Sequence, residues 1–224
     1  EPSHLAGAHT GETVNYMVVE AGTWILPAGT LQSDPLSSQG FESVGFDAAF
    51  DAAPVILSQA QTRNGGDFVT TRKQGIDADG FRLRMQEEEA LNGGVHTTET
   101  LGWVALDAGC GTAGDVSWRA DSAWVVTDAT ASVDLGTGFS CRANVIAARS
   151  SFAGSDPSCA RGDGSTGMAF DMSVEEEISA DSETRHTAET VDYFAFDEAG
   201  VAGAYDYDFL VGGGRRTRTV KGKF

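Results

Sequence analysis

The sequence HTTETLGWVALDAG, residues 96–109, has two near copies in the chain, HTGETVNYMVVEAG at residues 9–22 and HTAETVDYFAFDEAG at residues 186–200. The starts of the copies are 87 and 90 residues apart. Each copy predicts a strand of about ten residues that is closed by a glycine turn. A second echo, PVILS at residues 54–58 and NVIAA at residues 144–148, lies ahead of the later two copies. Self-similarity at this spacing predicts two modules of nearly 90 residues each.

The repeat divides the chain into four parts. We predict modules at residues 20–109 and 110–200, preceded by a spare closing strand in residues 1–19 and followed by a basic tail at residues 201–224. The spare strand is expected to pair with the first module, with strand addition to a neighbouring chain as the alternative. We predict the loop-rich stretch 27–40 and the glycine-rich stretch 160–167 to be connections, not linkers between unrelated domains.

The hydrophobic pattern of the modules has a period of two. Phe81, Leu83 and Met85 alternate with polar residues, as do Phe170 and Met172. This alternation is typical of half-buried antiparallel strands, whose successive side chains point to opposite faces. Turn signals such as Asn-Gly-Gly and Asp-Gly separate the strands. The predicted fold class is therefore all-β, with tandem antiparallel β-sandwich modules.

Composition and charge exclude several classes of function. The 224 residues include 33 acidic and 15 basic side chains, giving a net charge of −18. Repulsion from phosphates makes a nucleic-acid partner unfavourable. No apolar run reaches the roughly 18 residues that a membrane-spanning helix needs, so no transmembrane segment is predicted. Only three lysines are present, a balance that suits salty or extracellular surroundings. The tail, net +3, is expected to lie along its own acidic body or on that of a neighbouring chain.

The three cysteines allow one disulfide bond and leave one thiol over. We predict a bond between Cys141 and Cys159, because both lie in the second module, with Cys110 as the remaining thiol. The alternative is three reduced thiols. An extracellular location favours the bond.

The order of several motifs in the first module resembles the H-type lectin domain. The resemblance rests on Phe46, Phe50, PVILS at residues 54–58, Arg72, GFRL at residues 80–83 and LGWVAL at residues 101–106. It covers residues 20–109 and, more distantly, residues 107–200. It implies six-stranded antiparallel sandwiches that often trimerise and that bind N-acetylgalactosamine and related sugars. A homo-oligomer is therefore expected.

The residues that hold the sugar in that family are not retained here. The family's binding arginine falls on Phe68, and its neighbouring Trp-His pair falls on Glu88 and Glu89. Carboxylates accept hydrogen bonds from sugar hydroxyls and also coordinate calcium. We therefore name Asp34, Asp67, Glu88 and Glu89 as candidate ligand-binding residues, with calcium as the candidate ion. The alternative is an acidic hairpin rim that keeps a strand edge soluble.

Exposed aromatic side chains are a second candidate for reading glycans. Trp103 is replaced by tyrosine in the other two copies of the repeated strand, which is typical of a large core position. Trp118 and Trp124 occur in a strand-like stretch without an equivalent in the first module. These two tryptophans are the predicted stacking residues.

Histidine and glutamate recur at one position of the repeated strand. His96 and Glu99 could form a first-row metal site together with Glu89. Residues i and i+3 of a regular strand face opposite sides, so this site requires His96 to lie in a turn. The alternative that we favour is a histidine that holds the hairpin through a hydrogen bond.

No arrangement of nucleophile, base and orienting group stands out, so the sequence predicts no enzyme. We expect an extracellular or cell-surface protein that works by binding or adhesion, with glycans as the ligand. The alternative is a structural subunit of a surface filament, layer or larger complex whose partners are other protein subunits. No cofactor other than calcium is expected.

Overall fold

A computed structural model describes residues 14–18, 22–23, 27–32, 40–91, 96–113, 116–139, 143–197, 204–211 and 214–221. Asp34, Cys141 and most of the predicted spare strand lie outside the described residues. In the described part, no helix is long and apolar enough to cross a bilayer.

The described residues form sixteen β-strands and one short 3-10 helix, so the all-β fold class is confirmed. The 3-10 helix spans Glu89–Leu91. The strands are β1 (Gly22–Thr23), β2 (Pro27–Gln32), β3 (Glu42–Gly45), β4 (Val55–Ala60), β5 (Val69–Gln74), β6 (Gly80–Glu87), β7 (Thr100–Leu106), β8 (Gly109–Ala113), β9 (Val116–Val126), β10 (Ala131–Asp134), β11 (Asn144–Arg149), β12 (Ser158–Ser165), β13 (Ala169–Glu176), β14 (Glu189–Phe196), β15 (Ala204–Val211) and β16 (Gly214–Lys221).

The first seven strands form two antiparallel sheets, which we call the first sandwich. One sheet has four strands in the order β1-β2-β7-β4, and the other has three in the order β3-β6-β5. Ile56, Leu101 and Ala105 of the four-stranded sheet pack against Phe81 and Leu83 of the three-stranded sheet. The apolar core therefore lies between the sheets, as in a β-sandwich.

The next seven strands repeat this architecture and form the second sandwich. Its sheets have the orders β8-β9-β14-β11 and β10-β13-β12. Each strand thus occupies the place of the strand seven earlier, and the two later copies of the repeated sequence become the equivalent central strands β7 and β14. Val191 and Tyr193 pack here against Phe170 and Met172. The module boundaries at residues 20, 110 and 200 stay predictions.

Alternation along β6 agrees with the predicted period of two. Phe81, Leu83 and Met85 are buried, whereas Arg82 is exposed. The same pattern places Phe170 and Met172 in the second core. One face of each strand is therefore removed from water, which fixes the strand register, since a shift of one residue would expose the core side chains.

The strand pairing corrects the alignment of the second echo. Val55 lies opposite Leu106, and Asn144 lies opposite Phe196 in the equivalent pair of strands. Val55 therefore corresponds to Asn144, one residue away from the equivalence of Pro54 with Asn144 that the sequence suggests. The closing strands keep their offset of 90 residues. The reason is that the link from Glu177 to His186 is one residue longer than the equivalent link from Glu88 to His96 in the first sandwich.

Two stretches that were predicted to be connections contain strands. Pro27–Gln32 forms β2, which pairs with β7, and Ser158–Ser165 forms β12, which pairs with β13. The β12 register shifts between Gly162 and Gly164, and Gly164 has a φ of 144°. Glycine tolerates this backbone conformation, so the glycines form an irregularity within the strand rather than its end.

The two ends of the described chain differ. Residues 14–18 are not part of a strand. In the predicted basic tail, Ala204–Val211 pairs with Gly214–Lys221 as a hairpin. Whether the tail lies against the acidic body stays a prediction.

Candidate functional site at the junction of the two sandwiches

The two four-stranded sheets meet through an apolar contact, which we call the junction cluster. It exists because strands β4 and β14 are apolar on both faces: Ile56 and Tyr193 point into their own cores, while their neighbours Leu57 and Phe194 point toward the other sandwich. The buried members of the cluster are Val55, Leu57, Leu106, Val116, Ala120, Phe194 and Phe196. Met17, Val104, Trp118, Ile146 and Ala148 pack around them. Burial of this apolar surface stabilises the docking of the sandwiches.

Arg72 of β5 links the first sandwich to the second. Its guanidinium donates hydrogen bonds to the backbone oxygens of Gly154 at 2.7 Å and Asp156 at 2.9 Å. It also donates to Gln86 Oε1 at 2.6 Å and to Glu189 Oε1 at 3.2 Å. The side chain is fully buried, and burial together with the nearby Arg149 lowers its pKa to about 9. Three of these four contacts cross the junction.

Glu189 is the acceptor at the centre of this buried network. One carboxylate oxygen accepts from the Ser151 hydroxyl and from the Ala153 amide at 3.0 Å, and the other accepts from the Gly154 amide at 3.2 Å and from Arg72. Burial alone would raise the pKa of Glu189, but the hydrogen bonds from His186, Ser151 and the backbone hold the pKa at about 2. The carboxylate therefore stays charged.

His186 lies between two carboxylates. Its Nδ1 is 3.1 Å from Glu176 Oε2, and its Nε2 is 3.2 Å from Glu189 Oε1 and 3.1 Å from Ser158 Oγ. Burial raises the pKa of Glu176, while the contact with His186 opposes that rise. The ring thus joins the end of β13 to the start of β14.

Arg149 is the second buried guanidinium at the junction. Its Nη1 lies 3.7 Å from Glu189 Oε1, yet within the described residues neither Nη1 nor Nη2 has a hydrogen-bond partner. Burial lowers its pKa. Phe152 covers the neighbouring cations, with its ring centre 4.2 Å from the guanidinium carbon of Arg72 and 4.8 Å from that of Arg84. Glu189 is therefore the anion that faces both Arg72 and Arg149.

In the first sandwich, Glu99 holds the loop that corresponds to the one held by Glu189. Glu99 accepts hydrogen bonds from the backbone amides of Asn64 at 2.7 Å and Gly65 at 2.9 Å, and from the Thr62 hydroxyl at 2.5 Å. His96 Nδ1 lies 2.6 Å from the Thr97 carbonyl oxygen. Burial would raise the pKa of Glu99, but these hydrogen bonds lower it. In both sandwiches the glutamate of the repeated His-x-x-Glu sequence therefore holds the loop, whereas the favoured alternative assigned that role to the histidine.

The histidine of each His-x-x-Glu sequence requires a glycine in the loop that it faces. A Cβ atom on Gly65 would lie 2.3 Å from the His96 ring, and one on Gly154 would lie 2.6 Å from the His186 ring. Both distances are too short for any side chain. The histidine and the glycine therefore fit together in both sandwiches.

A second polar contact crosses the junction at Asp192. Its carboxylate accepts from the Ile56 backbone amide and from the Ser122 hydroxyl, both at 2.7 Å. Lys73 is buried near it and donates to Ser58 Oγ at 3.3 Å. Burial lowers the pKa of Lys73 to about 7, although the charge of Asp192 opposes the shift. The edge strand β4 is thus bonded to the second sandwich.

The predicted metal ligands do not form a metal-binding arrangement among the described residues. Among the described side chains, no group of three or more His, Cys, Asp or Glu residues is placed to hold a metal ion. His96 does lie outside β7, as the hypothesis required, but both oxygens of Glu99 already accept hydrogen bonds from the loop. Glu89 begins the 3-10 helix, where burial and the neighbouring acidic groups raise its pKa. A site formed by Glu89, His96 and Glu99 stays a prediction without structural support.

The candidate carboxylates for a ligand occupy different environments. Glu88 is fully buried, so it is not part of an exposed acidic rim. Asp67 is half-buried in the loop before β5, and Asp34 lies outside the described residues. The backbone amide of Glu89 donates to Glu177 Oε2 at 2.5 Å, which ties this turn to the second sandwich. The burial of Glu88 removes one of the four expected ligands from the surface.

The two predicted stacking tryptophans also differ. Trp118 packs in the junction cluster, with its ring 6.3 Å from that of Phe194. Trp124 is 74% exposed and precedes Val125, which has a φ of 64°. That conformation is strained for a β-branched residue, and it occurs where the pairing of β9 with β14 shifts register. Only Trp124 of the pair therefore presents an open aromatic face.

The preferred disulfide bond is wrong for Cys159. Cys159 is a free thiol, and its Sγ donates to Thr70 Oγ1 of the first sandwich at 3.6 Å. The side chain thus points across the junction rather than along its own module. Cys110 is also free and is exposed, and Cys141 lies outside the described residues.

A groove of about 800 Å³ runs along the junction. The edge strands β4 and β5 line one side of it, and β11 and β12 line the other. Residues 14–18 also border this groove, and the Asn15 side chain donates to the Val145 carbonyl oxygen at 3.3 Å.

Comparison with known proteins gives one informative similarity. The chain is 30% identical over 196 residues to halomucin of Haloquadratum walsbyi, an alignment that covers 84% of this chain and 2% of halomucin. The chain therefore spans a small fraction of that protein. No family model matches the sequence. No solved structure matches it. The similarity to H-type lectins consequently stays a prediction.

Proposed function

We propose that this chain is a double β-sandwich of an extracellular surface protein and acts by adhesion and assembly rather than by catalysis. The similarity to halomucin and the strongly acidic composition support a location outside the cell. Assembly as a homo-oligomer, with other protein subunits as partners, belongs to the same proposal.

The observation that carries this proposal is the buried junction. Two sandwiches joined only by a linker would move independently, whereas here an apolar cluster and the Arg72–Glu189 ion pair, with both side chains fully buried, hold them together. Large apolar contacts between domains oppose relative motion. The unit is therefore a rigid spacer, which is the property that a surface layer or filament needs.

The rigidity can be tested by unfolding. The intact chain is expected to unfold in one transition, followed by calorimetry and by tryptophan fluorescence. Leu57→Ala should weaken the junction by about 2–5 kcal/mol and separate the transition into two. Met168→Ala is the matched control, because Met168 is exposed and lies outside the cluster. Two independent transitions in the unchanged chain would contradict the proposal.

Trp124 favours glycan binding as a second candidate function. An exposed tryptophan on a strained bulge offers a flat face on which a sugar ring stacks, and backbone strain is commonly kept at binding sites. Asp67 and Glu89 are the candidate hydrogen-bond acceptors for the sugar. No described contact places either of them beside Trp124. Calcium dependence is part of this second proposal.

A glycan array, run with and without calcium, tests the second function. Trp124→Ala is expected to abolish glycan retention and to leave thermal stability unchanged, since the side chain is exposed. Trp118→Ala is the matched control and should lower stability through the junction cluster while retaining any glycan binding. If no glycan is retained by the unchanged chain, or if Trp124→Ala binds as well as the parent, the glycan function is excluded at this residue.

A further inference from the structure

We propose that the segment 14–18 is the closing strand of a third β-sandwich of the same kind, whose core covers Val14, Tyr16 and Val18. This inference names the neighbour that the double sandwich is built to join, and it does not depend on the proposed surface role. Three features of the described residues support it.

The first feature is the exposure of side chains that are core residues elsewhere in the repeat. Val14, Tyr16 and Val18 are 76%, 73% and 86% exposed. Aligned on the repeated sequence, their counterparts are Leu101, Trp103 and Ala105 in the first sandwich and Val191, Tyr193 and Ala195 in the second. All six counterparts pack in a sandwich core. The segment therefore carries the inner face of a closing strand without the core that it would cover.

The second feature is the position of the opposite face. Met17 corresponds to Val104 and Phe194, and all three side chains belong to the junction cluster. In both complete sandwiches this outward face meets the neighbouring sandwich. The segment is thus already oriented as a closing strand, with its outer side docked and its inner side turned away.

The third feature argues against a second intact copy as the occupant. In each described sandwich the closing strand lies inside the four-stranded sheet, where β7 pairs with β2 and β4, and β14 pairs with β9 and β11. Those cores are already closed. The segment 14–18 forms no strand within the described chain. The occupant must therefore be a sandwich that lacks its own closing strand.

An extended chain tests the proposal. Residues 22–95, which are the first sandwich without its closing strand, are placed directly before residue 9, so that His9 follows residue 95 as His96 does in the chain. The added sandwich is expected to fold against residues 9–22. It should slow amide hydrogen exchange at residues 14–18 by about 100-fold or more relative to the unextended chain. A second extension, with residues 109–185 of the second sandwich before residue 9, tests whether the choice of added sandwich decides the result.

The variant pair Tyr16→Asp and Val18→Asp supplies the control. In the extended chains it should abolish the protection, because both carboxylates would enter the third core. In the unextended chain it should leave stability unchanged, because both positions are exposed. Unslowed exchange in both extensions, or equal protection with the two aspartates, would overturn the proposal. Dimerisation of the unextended chain that Tyr16→Asp abolishes would also overturn it, since a second copy would then be the occupant.

Discussion

Replacing Glu189 by glutamine is expected to lower the free energy of unfolding by about 3–5 kcal/mol. The substitution keeps the size of the side chain but removes the charged carboxylate that both buried arginines, Arg72 and Arg149, face. Desolvated charges that lose their partner are strongly destabilising, whereas the loop bonds to the Glu189 oxygens lose only part of their strength. Urea denaturation at neutral pH measures the loss.

Glu99→Gln is the matched control, because Glu99 holds the equivalent loop of the first sandwich through the same kind of bonds, whereas Arg72 and Arg149 face Glu189. Its expected cost is about 1–2 kcal/mol. The difference between the two variants therefore reports the contribution of the junction cations. Equal losses would show that Arg72 and Arg149 add nothing to stability.

The pH dependence of stability, compared between the parent chain and Glu189→Gln, provides an independent check. The folded-state pKa of Glu189, about 2, lies below the ordinary value of 4.5. The folded protein therefore holds the proton less tightly than the unfolded chain, so this stabilisation is present above pH 4.5 and is lost as the pH falls toward 2. Relative to Glu189→Gln, the parent should lose about 3 kcal/mol across this range. Parallel curves for the two proteins would contradict the assignment.

Truncating Phe81 to alanine is expected to cost about 3–5 kcal/mol, which is typical of an aromatic core position. Phe81 is 3% exposed, and its ring centre lies 5.5 Å from that of Trp103 and 5.8 Å from that of Phe46. The neighbouring substitution Arg82→Ala, on the exposed face of the same strand, should change stability by no more than about 0.5 kcal/mol. Thermal denaturation compares the two. A loss below about 1 kcal/mol for Phe81→Ala would show that the strand register is wrong.

Much of the fold could be predicted because core positions recur in the repeated sequence. Alternation at Phe81, Leu83 and Met85 identified a half-buried strand, and the copies at residues 96–109 and 186–200 became the two central strands. The strands β2 and β12 were missed for a physical reason. Their sequences, PAGTLQ and SCARGDGS, contain few apolar residues, and their extended form is imposed by pairing with β7 and β13 rather than by their own pattern.

The junction could not be predicted, because nothing local in the sequence says how two sandwiches dock. Arg72 and Glu189 are 117 residues apart in the chain, and their contact depends on both sandwiches being formed. The repeat did contain a partial signal, since Glu99 and Glu189 share one position. Glu88 also differs from its expectation. An acidic residue after a strand is usually exposed, but Glu88 is fully buried.

The burial of Lys73 gives the molecule a built-in reporter of opening. The other two lysines, Lys221 and Lys223, lie within the last four residues of the chain. A lysine-specific protease has a single target in residues 1–220, and that target is fully enclosed beside Ser58 and Asp192. Cleavage into two large fragments would occur only while β5 is released, so the rate of that cleavage measures how often the folded protein opens at β5.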